Sequence, residues 1–288
     1  MPPKLGSEPK NCHYVTQSLT VPWEAEQRVL RYFDFDTEKF EAKPSKHLFA
    51  DERINSPSVE AWLSKLVETP LGIQRRRVAD GDMQALESWR YYRAAMLMVW
   101  LQGTRVSALR DLDSRDHLER LAKQPIEQTD QLVWLFRQEY ELARVTTIRN
   151  EAGIAPLFFP GGGIFPVLFR DGGCLSGWAT AFALPVALHC ALLVLPLDAD
   201  GRRDLDEVPS RLANFSVGTS KTRKVVIAPA AFKRNTEDQL REQLLRTRAR
   251  NDALFENARA AKQCVIDMCS FTGLVPIFDG ADRMHFSR

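Results

Sequence analysis

An α+β fold is predicted from the order of hydrophobic patterns: an N-terminal β-hairpin, a helical middle, and a β-rich second half with a long C-terminal helix. Three observations carry this. Arg28 to Phe35 and Glu38 to Ala42 are short β-prone runs on either side of Asp36-Thr37, a hairpin pattern. Val59, Trp62, Leu63, Leu66 and Val67 recur at i, i+3, i+4, i+7 and i+8, one face of a helix. Ile154 to Leu197 is a series of short apolar segments punctuated by glycine and proline, as in a sheet.

Taken in order, the elements begin after a flexible lead, residues 1–10, and residues 11–288 are expected to form a single α+β domain. No Pro/Ser/Gly linker or internal repeat divides them. Ser45 to Asp51 connects the hairpin to the first helix, which starts with Ser56 as N-cap and Pro57 at N1 and is ended by Pro70 and Gly72. A second helix runs from Asp82 beyond Gln102, apolar all round from Ala94 to Leu101 and so buried there. A third spans about Glu127 to Thr147, with Leu132, Phe136, Tyr140 and Ala143 on one stripe. Pro160 to Gly163 and Gly172-Gly173 read as turns. Val225 to Ala228 and Val265 to Cys269 read as strands. Thr236 and Gln239 have capping-box spacing and open a helix carrying Arg241, Arg246, Arg248 and Arg250.

Cys174 to Leu197 contains no charge and is long enough to span a bilayer. Gly177, Pro185, His189 and Pro196 interrupt it, which suits two buried strands, Leu184 to Val186 and Cys190 to Leu195, joined by a turn over Ala187 to His189. A soluble core without membrane contact is expected.

Composition bounds the rest. The 288 residues are 44% hydrophobic and 26% charged, which excludes a mostly disordered chain. A net charge of +2 gives no global signature of nucleic-acid binding. Cys12, Cys174, Cys190, Cys264 and Cys269 lack C-x-x-C spacing, and residues 1–10 lack an apolar leader core. Free thiols in a reducing cytoplasm are expected.

Candidate chemistry starts at Cys12-His13-Tyr14-Val15-Thr16-Gln17. His13 is either a general acid–base or an anchor bonded to a backbone carbonyl, since an imidazole exchanges protons near neutral pH. With Thr16 as a cap, Gln17 lies at a helix N-terminus suited to an anion. Gln102 and Arg105, one turn apart, present an amide and a guanidinium fork to a phosphate or carboxylate; alternatively Arg105 braces an acid such as Glu60. Asp34 and Asp36 either flank the hairpin turn or join Glu60 around a divalent ion. Arg75-Arg76-Arg77 and Lys221 to Lys224 are either phosphate contacts or solvated faces. No spacing identifies a cofactor.

The segment His13 to Gln17 resembles the His-Tyr-Val-Pro-Gln opening of a bacterial family known as domain of unknown function 4238. The resemblance continues through Val29 to Phe40, Ser58-Val59-Glu60, Gln102 to Arg105, and Leu184-Pro185 through Leu195-Pro196, covering most of the chain in order. Thr16 stands where the family has proline, and Pro160 to Gly163 stands near the place of its S-D-N-P element. The resemblance implies a setting in phage defence or toxin loci. The first functional expectation is a cytoplasmic, phosphate-directed, nuclease-like hydrolase, with His13 moving protons, Arg105 clamping phosphate, and Gln17, Gln102 and Glu60 as binding groups. The second is a non-catalytic sensor or partner-binding subunit that uses the Thr236–Lys262 helix.

Overall fold

The computed structural model describes residues 12–13, 17–48, 50–51, 56–108, 112–150, 153–154, 156–174, 176–197, 201–272, 275–278 and 284–287. Side chains are described for residues 17–48, 56–101, 118–148, 156–174, 176–197 and 201–267. The architecture is mixed α+β with antiparallel sheets and a long C-terminal helix, as the patterns predict.

The hairpin comprises β1 (Val29–Asp34) and β2 (Lys39–Pro44). Asp34 Oδ1 accepts from the Asp36 amide at 2.9 Å, so these aspartates build the turn. Just before β1, Gln27 and Arg28 both hold left-handed backbone, at φ 61° and 58°. Such a conformation costs a side-chain-bearing residue about 1–2 kcal/mol. Gln27→Gly should therefore raise stability by about 0.5–1 kcal/mol after the entropy cost of glycine. A urea midpoint that falls instead would mean the Gln27 side chain holds the loop.

Ser56 Oγ caps α1 (Pro57–Leu63) by accepting from the Val59 amide at 3.3 Å. Trp62 and Leu66 are buried and Lys65 is exposed, matching the amphipathic pattern. The expected stop at Pro70 does not occur. A π-turn over Ser64–Glu68 leads without a break into α2 (Thr69–Ala79): the Thr69 amide donates to the Ser64 carbonyl, and Pro70 follows where the helical ladder has already shifted by one residue. The expected second helix is broken at Ser88, which is extended; a short turn of helix, Gln84–Glu87, precedes α3 (Trp89–Ala108). The helix α4 (Leu112–Lys123) has no counterpart in the sequence reading.

The third helix also needs correction. Helix α5 (Ile126–Arg137) stops ten residues before Thr147, and Tyr140–Thr146 is a strand, β3. Every residue of β3 finds a cross-strand partner in Cys190–Pro196, and this pairing overrides the weak helical stripe.

The other strands of the two larger sheets are β4 (Phe159–Pro160), β5 (Phe165–Asp171), β6 (Trp178–Ala187), β7 (Cys190–Pro196), β8 (Arg203–Asp204) and, after helix α6 (Val208–Phe215), β9 (Lys224–Ile227). The first sheet is ordered β8-β5-β6-β7-β3 and the second β2-β1-β9-β4, both antiparallel. Residues Pro160 to Gly163 do not turn a hairpin. They carry the chain from the second sheet to the first, and the Gly161 amide donates to the Lys224 carbonyl at 2.7 Å.

All seven residues of β7 are buried, so that strand is covered on both faces and reads as an unbroken apolar run. Helices α2, α3 and α5 pack on β6, β7 and β3 respectively. No helix among the described residues is long and apolar enough to cross a membrane.

The second sheet partitions two cores. Leu30, Tyr32 and Val226 face the main core, whereas Phe33, Val225 and Ile227 face a smaller one closed by Leu240 and Leu244. Those leucines belong to α7 (Glu237–Thr272). Its start is a reciprocal capping box: Thr236 N donates to Gln239 Oε1 at 2.9 Å, and Gln239 N donates to Thr236 Oγ1 at 3.3 Å. The strand expected over Val265 to Cys269 is overturned; that segment continues α7, and Val275–Phe278 pairs instead with Met284–Ser287.

Candidate functional site

Two buried polar groups without partners, on Arg75 and Tyr91, lie where α2 and α3 meet the first sheet. Arg75 projects from α2, Tyr91 from α3, Arg144 from β3 and Cys190 from the start of β7. Helix α2 packs on both α3 and β6, which brings the four residues into one seam.

Arg144 caps the carboxyl end of α2. Its Nε donates to the Val78 carbonyl at 2.7 Å and an NH2 to the Ala79 carbonyl at 3.0 Å. These last-turn carbonyls carry the negative end of the helix dipole, so the cation is favourably placed. Arg75 has weaker support. One NH1 reaches the Val186 carbonyl at 3.4 Å, and its buried Nε has no partner. Burial, reinforced by the neighbouring Arg76, pulls the Arg75 pKa below its ordinary value.

The Tyr91 hydroxyl is fully buried and unpartnered. Burial raises its pKa, the Cys190 thiol adds to the rise, and Arg75 opposes it. Burial likewise pushes the Cys190 thiol up, against the pull of the Arg144 charge and its hydrogen bond to the thiol. Both therefore stay protonated near neutral pH. The seam holds two guanidinium charges, and among the described residues neither pairs with a carboxylate. One helix terminus offsets roughly half a charge. Arg75 and Arg144 are half-buried, so solvent reaches the seam.

Other charged groups are engaged in scaffolding. Lys224 pairs with Asp34 at 3.5 Å, and the Tyr32 hydroxyl donates to Glu41. Arg93 and Trp89 share Asp130 Oδ1, at 2.7 and 3.0 Å. Along α7, Arg241, Arg246 and Arg259 pair with Asp238, Glu242 and Glu256 on the same helix. Arg248 lies over the Phe35 ring and donates to the Ser220 carbonyl. Much of the basic stripe of α7 is thus neutralised locally. A cleft bordered by Arg170, Trp178, Glu207 and Arg211 has a volume of about 10 Å³, room for about one water molecule. No group of three or more His, Cys, Asp or Glu among the described residues is arranged to hold a metal ion.

The residues proposed from sequence are placed as follows. His13 lies in a two-residue strand, Cys12–His13, opposite Ala50. Gln17 opens a single helical turn, Gln17–Thr20, too short to focus a dipole on an anion. Glu60 is half-buried in the first turn of α1. Gln102 and Arg105 lie in the last third of α3. Helices α1 and α3 both pack against α4. The side chains of His13, Gln102 and Arg105 lie outside those described, so their convergence with Gln17 or Glu60 is not part of the described geometry.

The sequence patterns do not single out Tyr91 or Arg144; they mark Arg75 only within an arginine run and Cys190 only as a cysteine at the start of a buried strand. The available signal was the alternation of Tyr140, Leu142, Arg144 and Thr146, which marks a strand with Arg144 on one face.

Comparison with known proteins adds no family: no family model, curated protein or solved structure matches the chain.

Proposed function

We propose that this protein is a non-catalytic binding protein, a sensor whose ligand is a small anion held at the Arg75–Arg144 seam. The observation that carries this reading is two guanidinium groups sharing one seam without a carboxylate. Arg75 is a partly dehydrated cation with the like charge of Arg76 beside it, and an anion at its unmatched Nε relieves the repulsion and the missing hydrogen bond together. Burial holds Tyr91 and Cys190 protonated, so the two offer hydrogen-bond donors rather than a nucleophile or general base.

Ligand-linked stabilisation provides the test. At constant ionic strength, sulfate or phosphate at a hundred times its Kd should stabilise the protein by about 2.7 kcal/mol. The Arg75→Gln variant should lose that gain while retaining the helical circular-dichroism signal. Equal stabilisation of variant and parent would remove the seam as the site.

The hydrolase reading shares the phosphate chemistry and differs in its proton-transfer group, His13, which the short strand pair with Ala50–Asp51 fixes in the backbone. Hydrolysis of a phosphodiester by the parent, lost in both His13→Ala and Arg105→Ala, would favour that reading over a sensor. The bacterial defence or toxin setting and a cytoplasmic location are supported by the family resemblance and the cysteine spacing. A protein partner on α7 has the exposed, charge-balanced face of that helix in its favour.

A further inference from the structure

We infer that the anion taken by the seam is the terminal group of a phosphate monoester, bound as its dianion between Arg75 of α2 and Tyr91 of α3. This rests on the anion-binding reading above and names its ligand class.

A carboxylate prefers the two parallel N–H groups along one edge of a guanidinium. In Arg144 that Nε–NH2 edge is spent on the carbonyls of Val78 and Ala79. In Arg75 one NH1 is directed to Val186, which leaves its Nε–NH2 edge open, with Nε buried and unmatched. The Tyr91 hydroxyl, with 0% exposure, is a further donor, on the facing helix. A planar carboxylate fills the Arg75 edge with its two oxygens, whereas a phosphate monoester has three oxygens outside its ester link, two for that edge and a third for the Tyr91 hydroxyl on the facing helix. Its double charge also matches two guanidinium groups with no internal counter-ion. Cys190 supplies none, because its thiol is neutral, and the other charge acting on Arg75 is Arg76.

Titration calorimetry with methyl phosphate and with inorganic sulfate, at pH 5 and pH 7.5, tests this. A phosphate monoester gains its second charge near pH 6, so its affinity relative to sulfate should rise about tenfold across that range. Sulfate is a dianion throughout and experiences the same protein groups, so the ratio cancels any titration of the protein itself. Arg75→Gln should lose binding of both anions. Tyr91→Phe should weaken methyl phosphate about fivefold, the scale of one hydrogen bond, and should leave the melting temperature of the free protein unchanged or higher. Sulfate and methyl phosphate binding with a constant ratio, both sensitive to Arg75→Gln, would keep the anion site and overturn the monoester assignment. Binding of neither anion would overturn both.

Discussion

Trp23→Ala should destabilise the protein by about 3–5 kcal/mol, the range for truncating a large buried aromatic. Trp23 has no exposed surface and belongs to the main core, where its ring meets Phe159 edge-to-face at 5.1 Å. Its Nε1 donates to the Leu157 carbonyl at 2.7 Å. The residue thus fastens the N-terminal segment to the approach to β4, and its loss removes packing and a buried hydrogen bond together. Trp23→Phe separates the two. It keeps most of the ring contact and leaves the Leu157 carbonyl short of a donor, at a cost of about 1–3 kcal/mol. Urea denaturation of both variants gives the comparison. A cost below about 1 kcal/mol for the alanine variant would mean that this segment does not pack where it is placed.

Gly218→Ala should be comparably damaging, at about 2–5 kcal/mol from left-handed strain and overpacking combined. Gly218 has φ 83°, and an added Cβ would stand 2.0 Å from Thr222 Oγ1 and 2.7 Å from Thr222 Cβ. Thr222 is not free to withdraw without loss, because its Oγ1 accepts from the Thr219 amide. The Gly218 carbonyl also receives the Asn251 side-chain amide at 2.8 Å, which ties the loop to α7. Gly81→Ala is the control: φ is 95° with no neighbour within 4 Å, so strain alone should cost about 1–2 kcal/mol. Equal losses in the two variants would show that Thr222 yields easily.

Local signals were the legible part of this fold. The hairpin, the Ser56–Pro57 helix start, the Thr236–Gln239 capping box and the buried strand pair across Cys174 to Leu197 each depend on nearby residues. What was not legible depends on distant partners. Residues Tyr140 to Thr146 become a strand because β7 offers a complete edge, and Val265 to Cys269 remains helical as a continuation of α7. The π-turn at Ser64–Glu68 absorbs a proline that otherwise reads as a helix stop. The seam was illegible for the same reason. Arg75, Tyr91, Arg144 and Cys190 come from four elements, and no spacing along the chain relates them.

The partition sheet sets an order of events during synthesis. Its central strand β1 takes as second neighbour β9, with Asp34 opposite Lys224 and Arg31 opposite Ile227. A two-stranded hairpin is marginal in water by itself. The hairpin is made well before β9, so its inner edge closes only after residue 227 has left the ribosome. Until then Phe33 lacks the Val225 side chain that later covers it. The hairpin therefore waits, once translated, for the strand that completes it.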